Sequence, residues 1–185
     1  MPALLLVSVA PLFAAFLLGA VDGLYFHLRR YRLFAFPESR GEHVLHTIRA
    51  FLVLPPLALL YLADAEGLCL WTAAAFIAVD QLILALDLRE ETTSRRRFGG
   101  LEPAEYQIHV AANGLHGIAL ALALASRPTT AWSASACSLG ASSLPLAIQA
   151  LVGVLWLASA VAVVQHVALI FGEREEALLA AHSDR

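Results

Sequence analysis

The chain has 185 residues, of which 59% are hydrophobic and 15% are charged, and its formal net charge is −3. Soluble domains are roughly half apolar and about a quarter charged, so this composition, with a mean hydropathy of +0.72, excludes an ordinary soluble domain. Basic residues do not alternate with aromatic ones, and no nucleic-acid partner is expected. The length leaves room for a single integral-membrane domain, residues 1–185, with four or five spans.

Five apolar stretches are each long enough to cross a hydrocarbon core of ~30 Å at about 1.5 Å per residue. The predicted spans are 3–28, 42–62, 68–88, 104–125 and 145–171. Only helices and closed barrels satisfy the backbone inside lipid, and runs of this length indicate helices. The first stretch lacks the positive n-region of a signal peptide and is too long for an h-region, so it is predicted to be retained. The expected fold class is an all-α, polytopic membrane bundle.

Arginines are distributed unevenly among the links between these spans. The first link, "RRYRLFAFPESRG", and the third, "REETTSRRRFGGLEP", carry four arginines each, whereas the second carries none and the fourth carries one. The positive-inside rule places the first and third links in the cytoplasm. The N-terminus is then outside, the segment 172–185 is a cytoplasmic tail, and a bacterial inner membrane is the expected location. Cys69 and Cys137 fall on the outer side, where a disulfide is permitted if that side is oxidising; two unrelated thiols are the alternative.

The ionisable residues of the spans gather toward the cytoplasmic side. Each helix contributes one acid or imidazole roughly 6–12 Å inside the boundary: Asp22, His46, Asp80, His109 and His166. A second layer lies nearer the surface and contains His27, His43, Asp87 and Glu105. Charged groups in hydrocarbon are costly, and they usually face a bundle interior where they are paired or functional. We therefore expect these side chains to converge, with the imidazoles of His46, His109 and His166 within about 4–7 Å of one another, the spacing of ligands that share a metal site.

Helical spacing favours metal binding by this set. Glu42 and His46 are four residues apart, as are Glu105 and His109, and a carboxylate and an imidazole one turn apart can bind the same cation, as the Glu-x-x-His pairs of di-iron bundles do at a spacing of three. The predicted metal ligands are Asp22, Glu42, His43, His46, Asp80, Asp87, Glu105, His109, His116 and His166. Imidazoles mixed with carboxylates suit iron, manganese or zinc. Two iron ions are expected, or one zinc with three ligands and water; haem is less favoured because it leaves the acids unexplained.

Several of these residues also have a purely structural interpretation. Ser39-x-x-Glu42 fits a capping box, and Glu105 follows Pro103 in the first turn of a helix, where an acid favours the dipole. Arg49 is expected to form a buried ion pair with Asp80. His27 and His43 are interpreted as interfacial residues. A solvated loop is predicted for Glu90, Glu91, Arg95, Arg96 and Arg97, in which the three arginines could contact an anionic head group.

The arrangement resembles the His-rich integral-membrane di-iron hydroxylases and desaturases, which also gather ligands from several spans at the cytoplasmic side. Their HxxxH and HxxHH boxes are absent, and the pairs here are His43-x-x-His46 and Glu105-x-x-x-His109. The resemblance implies an oxidoreductase that acts on a lipid or another apolar substrate and receives electrons from a donor protein. Four alternatives remain: a proton or metal-ion transporter or channel subunit, a haem-binding anchor, a zinc hydrolase with Glu42 or Glu105 as general base, and an accessory subunit whose polar layer locks helices together.

Overall fold

The computed structural model describes residues 2–133 and 135–183, and side chains within 3–133 and 135–172. It is a bundle of five long helices with one small sheet. The first helix comprises α1 and a π-helical continuation, Pro2–Ala20 and Val21–Arg30. The second comprises α2, α3 and a short π-helical segment, Arg40–Leu52, Leu54–Leu57 and Ala58–Leu62. The remaining helices are α4 (Leu68–Ser94), α5 (Pro103–Ala125), the short α6 (Thr129–Ser133) and α7 (Leu146–Ser183).

Five helices are long and apolar enough to cross a membrane. They are Ala3–Arg30, Pro37–Leu62, Leu68–Ser94, Pro103–Ala125 and Leu146–Gly172. The all-α class and the five predicted apolar helices are thereby confirmed, while the orientation stays a prediction. The predicted tail begins as a continuation of α7, and the side chain of His182 lies outside the described residues.

The end of α4 differs most from expectation. The third span was predicted to stop at residue 88, before the charged run, but the helix continues to Ser94. Glu91 and Ser94 are 3% and 1% exposed. One face of this last stretch of α4 is therefore buried in the bundle. A solvated loop at Glu91 is therefore wrong, because polar partners inside the bundle replace water for this carboxylate.

The two ends of the bundle differ in character. We call the end that holds the first and third links the arginine-rich end, and the opposite one the disulfide end. At the disulfide end, β1 (Ala63–Glu66) pairs antiparallel with β2 (Ser138–Ala141), and a disulfide joins Cys69 to Cys137. Arg127 adds an ion pair with Asp64 and a hydrogen bond to the carbonyl oxygen of Leu60.

An apolar core fills the half of the bundle toward the disulfide end. α1 packs against α5, and α2 packs against α4 and α7. Small residues at the contacts allow helix backbones to approach closely; the fully buried members are Leu12, Leu57, Leu60, Tyr61, Ala65, Leu70, Ala73, Ala119, Ala123 and Val152. The Tyr61 hydroxyl donates to the carbonyl oxygen of Ala119 at 3.1 Å, which satisfies its one polar atom in this core.

A second, smaller apolar cluster lies at the arginine-rich end. It consists of Phe26, Tyr31 and Leu33, with Phe98 and Ile108 packed against them. The Tyr31 hydroxyl donates to Glu102 Oε2 at 3.0 Å, and burial together with this hydrogen bond raises the pKa of Tyr31 to about 12. The hydroxyl therefore stays protonated at neutral pH. The polar side chains of the bundle lie between this cluster and the apolar core.

Candidate metal centre

The first helix changes from α to π geometry where it enters the polar region, at Val21. In an α-helix, residues five apart differ by about 140° around the axis, so Asp22 and His27 would face different neighbours. The i→i+5 hydrogen bonds of a π-helix widen the turn and bring such residues to the same side. Both side chains accordingly point into the bundle, with Asp22 3% and His27 2% exposed.

The His27 imidazole is surrounded by three carboxylates. Its Nε2 lies 3.6 Å from Asp22 Oδ1, 3.5 Å from Glu42 Oε1 and 3.8 Å from Glu105 Oε1. These separations are too long for hydrogen bonds. They are close to the ~3.4 Å that separates two ligand atoms each about 2.1 Å from one tetrahedral metal ion. The spacing of these donor atoms suits a shared cation better than direct contact.

Asp22 also faces His109 with its other oxygen. Asp22 Oδ2 lies 3.2 Å from His109 Nδ1, and Glu91 Oε1 lies 3.2 Å from the same nitrogen. Asp22 therefore directs Oδ1 toward His27 and Oδ2 toward His109 on α5. A carboxylate in this position can connect two neighbouring cation sites.

His46 completes the densest part of the cluster. Asp22, His27 and His46 each offer one ligand atom, and these three atoms all lie within 4.8 Å of one another. The His46 ring centre is 4.6 Å from that of His27, and its Nδ1 is 3.7 Å from Asp87 Oδ2. Residues from the first, second and third long helices thus meet around one position.

Arg95 lies inside the cluster. Its side chain is 0% exposed, its Nε donates to Glu105 Oε1 at 2.9 Å, and its Nη1 donates to Glu42 Oε2 at 2.7 Å. The guanidinium also lies 5.1 Å from the Tyr31 ring centre. The predicted head-group contact and solvated loop are therefore wrong for Arg95, because two buried carboxylates bind it on the protein side.

The neighbouring arginines of the same link differ from Arg95. Arg96 is exposed. Arg97 is also largely exposed, pairs with Glu38 at 3.7 Å and lies over the Phe36 ring at 3.6 Å from its centre. A head-group contact stays a prediction for these two residues.

Arg49 connects three helices. Its Nε donates to Asp80 Oδ1 at 3.2 Å, its Nη1 to Asp87 Oδ2 at 3.4 Å, and its Nη2 to Asn113 Oδ1 at 2.6 Å. Asp80 Oδ2 accepts a hydrogen bond from Gln81. Both oxygens of Asp80 are thus engaged by protein groups, which makes it the weakest ligand candidate among the acids.

The remaining histidines flank the centre. The rings of His43 and His166 stack with centres 4.8 Å apart and planes within 13° of parallel, and the His46 and His166 centres are 6.3 Å apart. His116 lies deeper along α5, and its Nε2 is buried without a hydrogen-bond partner. His43 and His166 therefore adjoin His46, while His109 joins the group through Asp22.

Many polar atoms of the cluster have no hydrogen-bond partner. Among the described residues, thirteen buried side-chain nitrogen and oxygen atoms lack one, and eleven of them belong to this region. The eleven are in Asp22, His27, Glu42, His43, His46, Asp87, Glu91, Glu105, His109, His116 and His166. Buried polar groups in native proteins are nearly always satisfied. These atoms are the ones in the described part of the cluster that remain free to contact a cation.

The structural roles predicted for the two glutamates have different outcomes. Ser39 makes no capping hydrogen bond to the start of α2; its hydroxyl donates to the carbonyl oxygen of Leu33 at 2.6 Å. The capping box is therefore wrong, and Glu42 instead accepts from Ser94 and Arg95. Glu105 does lie in the first turn of α5, two residues after Pro103, and its side chain still reaches the cluster.

Sequence reasoning missed two site residues. His27 was placed in the second layer, nearer the surface, and interpreted as interfacial, so it was left out of the predicted ligands. Glu91 was assigned, with Glu90 and the three arginines Arg95, Arg96 and Arg97, to a solvated loop. The spacing of four between Asp87 and Glu91 is the signal that could have found the second residue, since it repeats one face of α4.

No protein-family model, curated protein or solved structure matches this chain.

Proposed function

We propose that this chain is an integral-membrane metalloprotein that binds two divalent iron ions and acts as an oxidoreductase on a lipid or another apolar substrate. The charge balance of the buried cluster carries the proposal. The cluster holds six carboxylates, of Asp22, Glu42, Asp80, Asp87, Glu91 and Glu105, and two guanidinium groups, of Arg49 and Arg95. With neutral histidines, six negative and two positive charges leave four negative charges, which two divalent ions would neutralise.

The cost of uncompensated charge supports this reading. An ionised carboxylate away from water is destabilising unless it is paired, hydrogen-bonded or bound to a metal. Arg95 and Arg49 compensate one side of the cluster, and they leave Asp22, Glu91 and the free oxygens of Glu42 and Glu105 without a cation. Metal ions at these atoms would supply the missing positive charge.

The donor atoms divide naturally into two adjoining sites. One would use Asp22 Oδ1, His27, His46 and Glu42, and the other would use Asp22 Oδ2, His109 and Glu91, with Asp22 shared. Asp87, Glu105, His43 and His166 lie close enough to fill remaining positions. This division follows the mixed imidazole and carboxylate ligation typical of di-iron bundles.

Iron with such ligands supplies oxygen activation or electron transfer. The surrounding residues would determine what reaches it. The apolar cluster of Phe26, Tyr31 and Leu33 lies at the arginine-rich end and would limit access of water to the site. The hydrocarbon-facing sides of the helices are the route open to an apolar substrate. A donor protein would deliver electrons at the arginine-rich end, which we propose is cytoplasmic.

Transport of protons or metal ions is the main competing function. An ion path must continue through the other half of the bundle, but there the described buried residues are mostly leucine, alanine and other apolar side chains. A haem bound by His166 with His109 or His116 is also disfavoured, because the His166 ring stacks on that of His43. The apolar core therefore disfavours an ion path through the bundle. The ring stacking disfavours haem, and a metal site reached from one end agrees with both.

Elemental analysis and a visible spectrum of the detergent-purified protein would test the proposal. About two irons per chain without a Soret band is the expected result. One zinc per chain would replace the oxidoreductase with a hydrolase. An intense Soret band would indicate haem, and absence of metal after purification under metal-replete, anaerobic conditions would overturn the metalloprotein proposal in favour of transport or helix locking.

A further inference from the structure

A cleft of about 760 Å³ lies on the outer side of α2 and α4, away from the metal ligands. Its apolar wall is formed by Val44, Leu45 and Leu86. On α2, the cleft residues alternate with Glu42 and His46, which face inward, because successive residues turn by about 100°. The cleft is therefore a separate feature that shares two helices with the candidate metal centre.

Two arginines lie at the mouth of the cleft. Arg40 begins α2, and Arg89 lies one turn beyond Leu86 on α4. Within residues 3–133 and 135–172, neither arginine has an acidic partner at ion-pair distance, and Arg40 Nη2 is buried without a hydrogen-bond partner. Arg29, Arg30 and Arg32 belong to the same end of the bundle but do not line the cleft. The two arginines thus share one cleft with the apolar wall of Val44, Leu45 and Leu86.

The third charged residue of the cleft is Glu90. A Cβ added at Gly41 would lie 3.4 Å from Glu90 Oε2, so the glycine leaves space for this carboxylate against α2. Two arginines and one glutamate give the cleft a net charge of +1. A phosphodiester carries a single negative charge, and guanidinium groups are well suited to bind phosphate oxygens.

We infer that this cleft binds one anionic phospholipid. Its phosphate lies between Arg40 and Arg89, and one acyl chain lies along Val44, Leu45 and Leu86. The combination of charge and apolar wall at one boundary is what distinguishes such a site from a general surface attraction of arginines to anionic lipid. The inference is independent of the metal, because none of the cleft residues belongs to the candidate ligand set.

Native mass spectrometry of the full-length protein in mild detergent would test the site, with dioleoyl-phosphatidylglycerol titrated as the probe and dioleoyl-phosphatidylcholine as the zwitterionic comparison. The unaltered protein should retain one phosphatidylglycerol in preference to phosphatidylcholine. R40Q combined with R89Q should weaken this binding roughly tenfold to thirtyfold, at about 1 kcal/mol for each arginine. The matched control R29Q, at an exposed arginine of the same end that does not line the cleft, should change it less than about twofold.

Glu90→Gln provides a variant whose expected effect cannot arise from misfolding. Removing the negative charge should strengthen phosphatidylglycerol binding about fivefold. Equal binding of the two lipids would overturn the inference, as would a loss in R29Q as large as that in the double variant. Unchanged or weaker binding in Glu90→Gln would also overturn it. None of these outcomes depends on the metal content, so the lipid site and the proposed function can fail separately.

Discussion

At the scale of single residues, Asp22 occupies the position that connects the cluster. Its two oxygens face His27 and His109, at 3.6 Å and 3.2 Å. Replacing Asp22 by Asn preserves the shape but removes the charge and converts one acceptor into a donor that points at an imidazole. We predict that Asp22→Asn lowers the metal content from about two ions per chain toward none, whereas His109→Ala removes about one. Elemental analysis of the purified variants measures both.

A suitable control for this experiment lies at the other end of the bundle. Glu66 is exposed and accepts a hydrogen bond from Ser138 at 3.1 Å. Glu66→Gln should keep the full metal content and the elution profile of the unaltered protein. A full complement of metal in Asp22→Asn would contradict a shared role for this carboxylate.

Arg95 is predicted to stabilise the fold by compensating Glu42 and Glu105. Removing one partner of a buried ion pair leaves an uncompensated charge and costs about 3–5 kcal/mol. Arg95→Met should therefore lower the free energy of unfolding by about this amount, measured by denaturant titration in detergent. Arg96→Met, a change of the same type at the exposed neighbour, should alter it by less than about 0.5 kcal/mol.

A compensated variant separates charge from packing. Combining Arg95→Met with Glu42→Gln and Glu105→Gln removes all three charges, and buried ion groups replaced in this way are often close to neutral in stability. The triple variant should be more stable than Arg95→Met alone but should bind less metal. If the triple variant is no more stable than the single one, packing of the Arg95 side chain against Tyr31 is the dominant contribution.

At the scale of the elements, the π-helical segment Val21–Arg30 determines which side chains can meet. In an α-helix, position 26 would share the face of Asp22, because residues four apart are neighbours. The wider turn of the π-helix brings position 27 toward this face as well, and His27 Nε2 lies 3.6 Å from Asp22 Oδ1. We predict that exchanging the two residues, as Phe26→His with His27→Phe, lowers the metal content as much as His27→Ala does. Elemental analysis of both variants gives their metal content. The exchanged protein keeps the amino-acid composition of the unaltered one, so a loss of metal in it reports the position of the imidazole.

Retention of metal by the exchanged protein would contradict the π-helical register. If the exchanged protein keeps its metal, position 26 faces the site and the segment has α-helical register. Phe26 and His27 are 4% and 2% exposed, so both positions tolerate little change. Circular dichroism of the exchanged protein therefore has to show unaltered helix content before the metal values are compared.

How much the sequence predicts also differs among the elements. Hydropathy and length are sufficient for the five long helices, because hydrocarbon requires satisfied backbones over a fixed thickness. The π-helical register at Asp22 was not predictable from a period of 3.6 residues, and with it His27, which was interpreted as interfacial, lies next to Asp22. The extension of α4 through Glu91 to Ser94 was missed for a different reason: Arg95, Glu42 and Glu105 compensate one another only when the link folds back under the bundle. The strands Ala63–Glu66 and Ser138–Ala141 are four residues each and carry no alternating pattern.

At the scale of the whole molecule, the ionisable side chains and the apolar core lie toward opposite ends of the bundle. The carboxylates, imidazoles and most arginines lie toward one end, and the apolar core, the strand pair and the disulfide lie toward the other. A disulfide persists in oxidising compartments and is rare in the reducing cytosol. The arginine-rich links, in contrast, favour the cytoplasmic side. Two independent rules of protein chemistry therefore assign the same orientation to the bundle.

We predict that the arginine-rich end faces the cytoplasm, because exporting two links with four arginines each is opposed by the rule that retains positive charge inside. Single cysteines introduced at Glu38 and at Ser133, in a chain whose own Cys69 and Cys137 are replaced by Ser, would mark the two ends. Both positions are exposed, so each thiol can react with a reagent. In intact cells, a membrane-impermeant maleimide should label position 133 and leave position 38 unmodified until the membrane is permeabilised. Labelling of position 38 from outside, with position 133 protected, would reverse the bundle, place the metal ligands on the outer side and exclude a cytoplasmic electron donor.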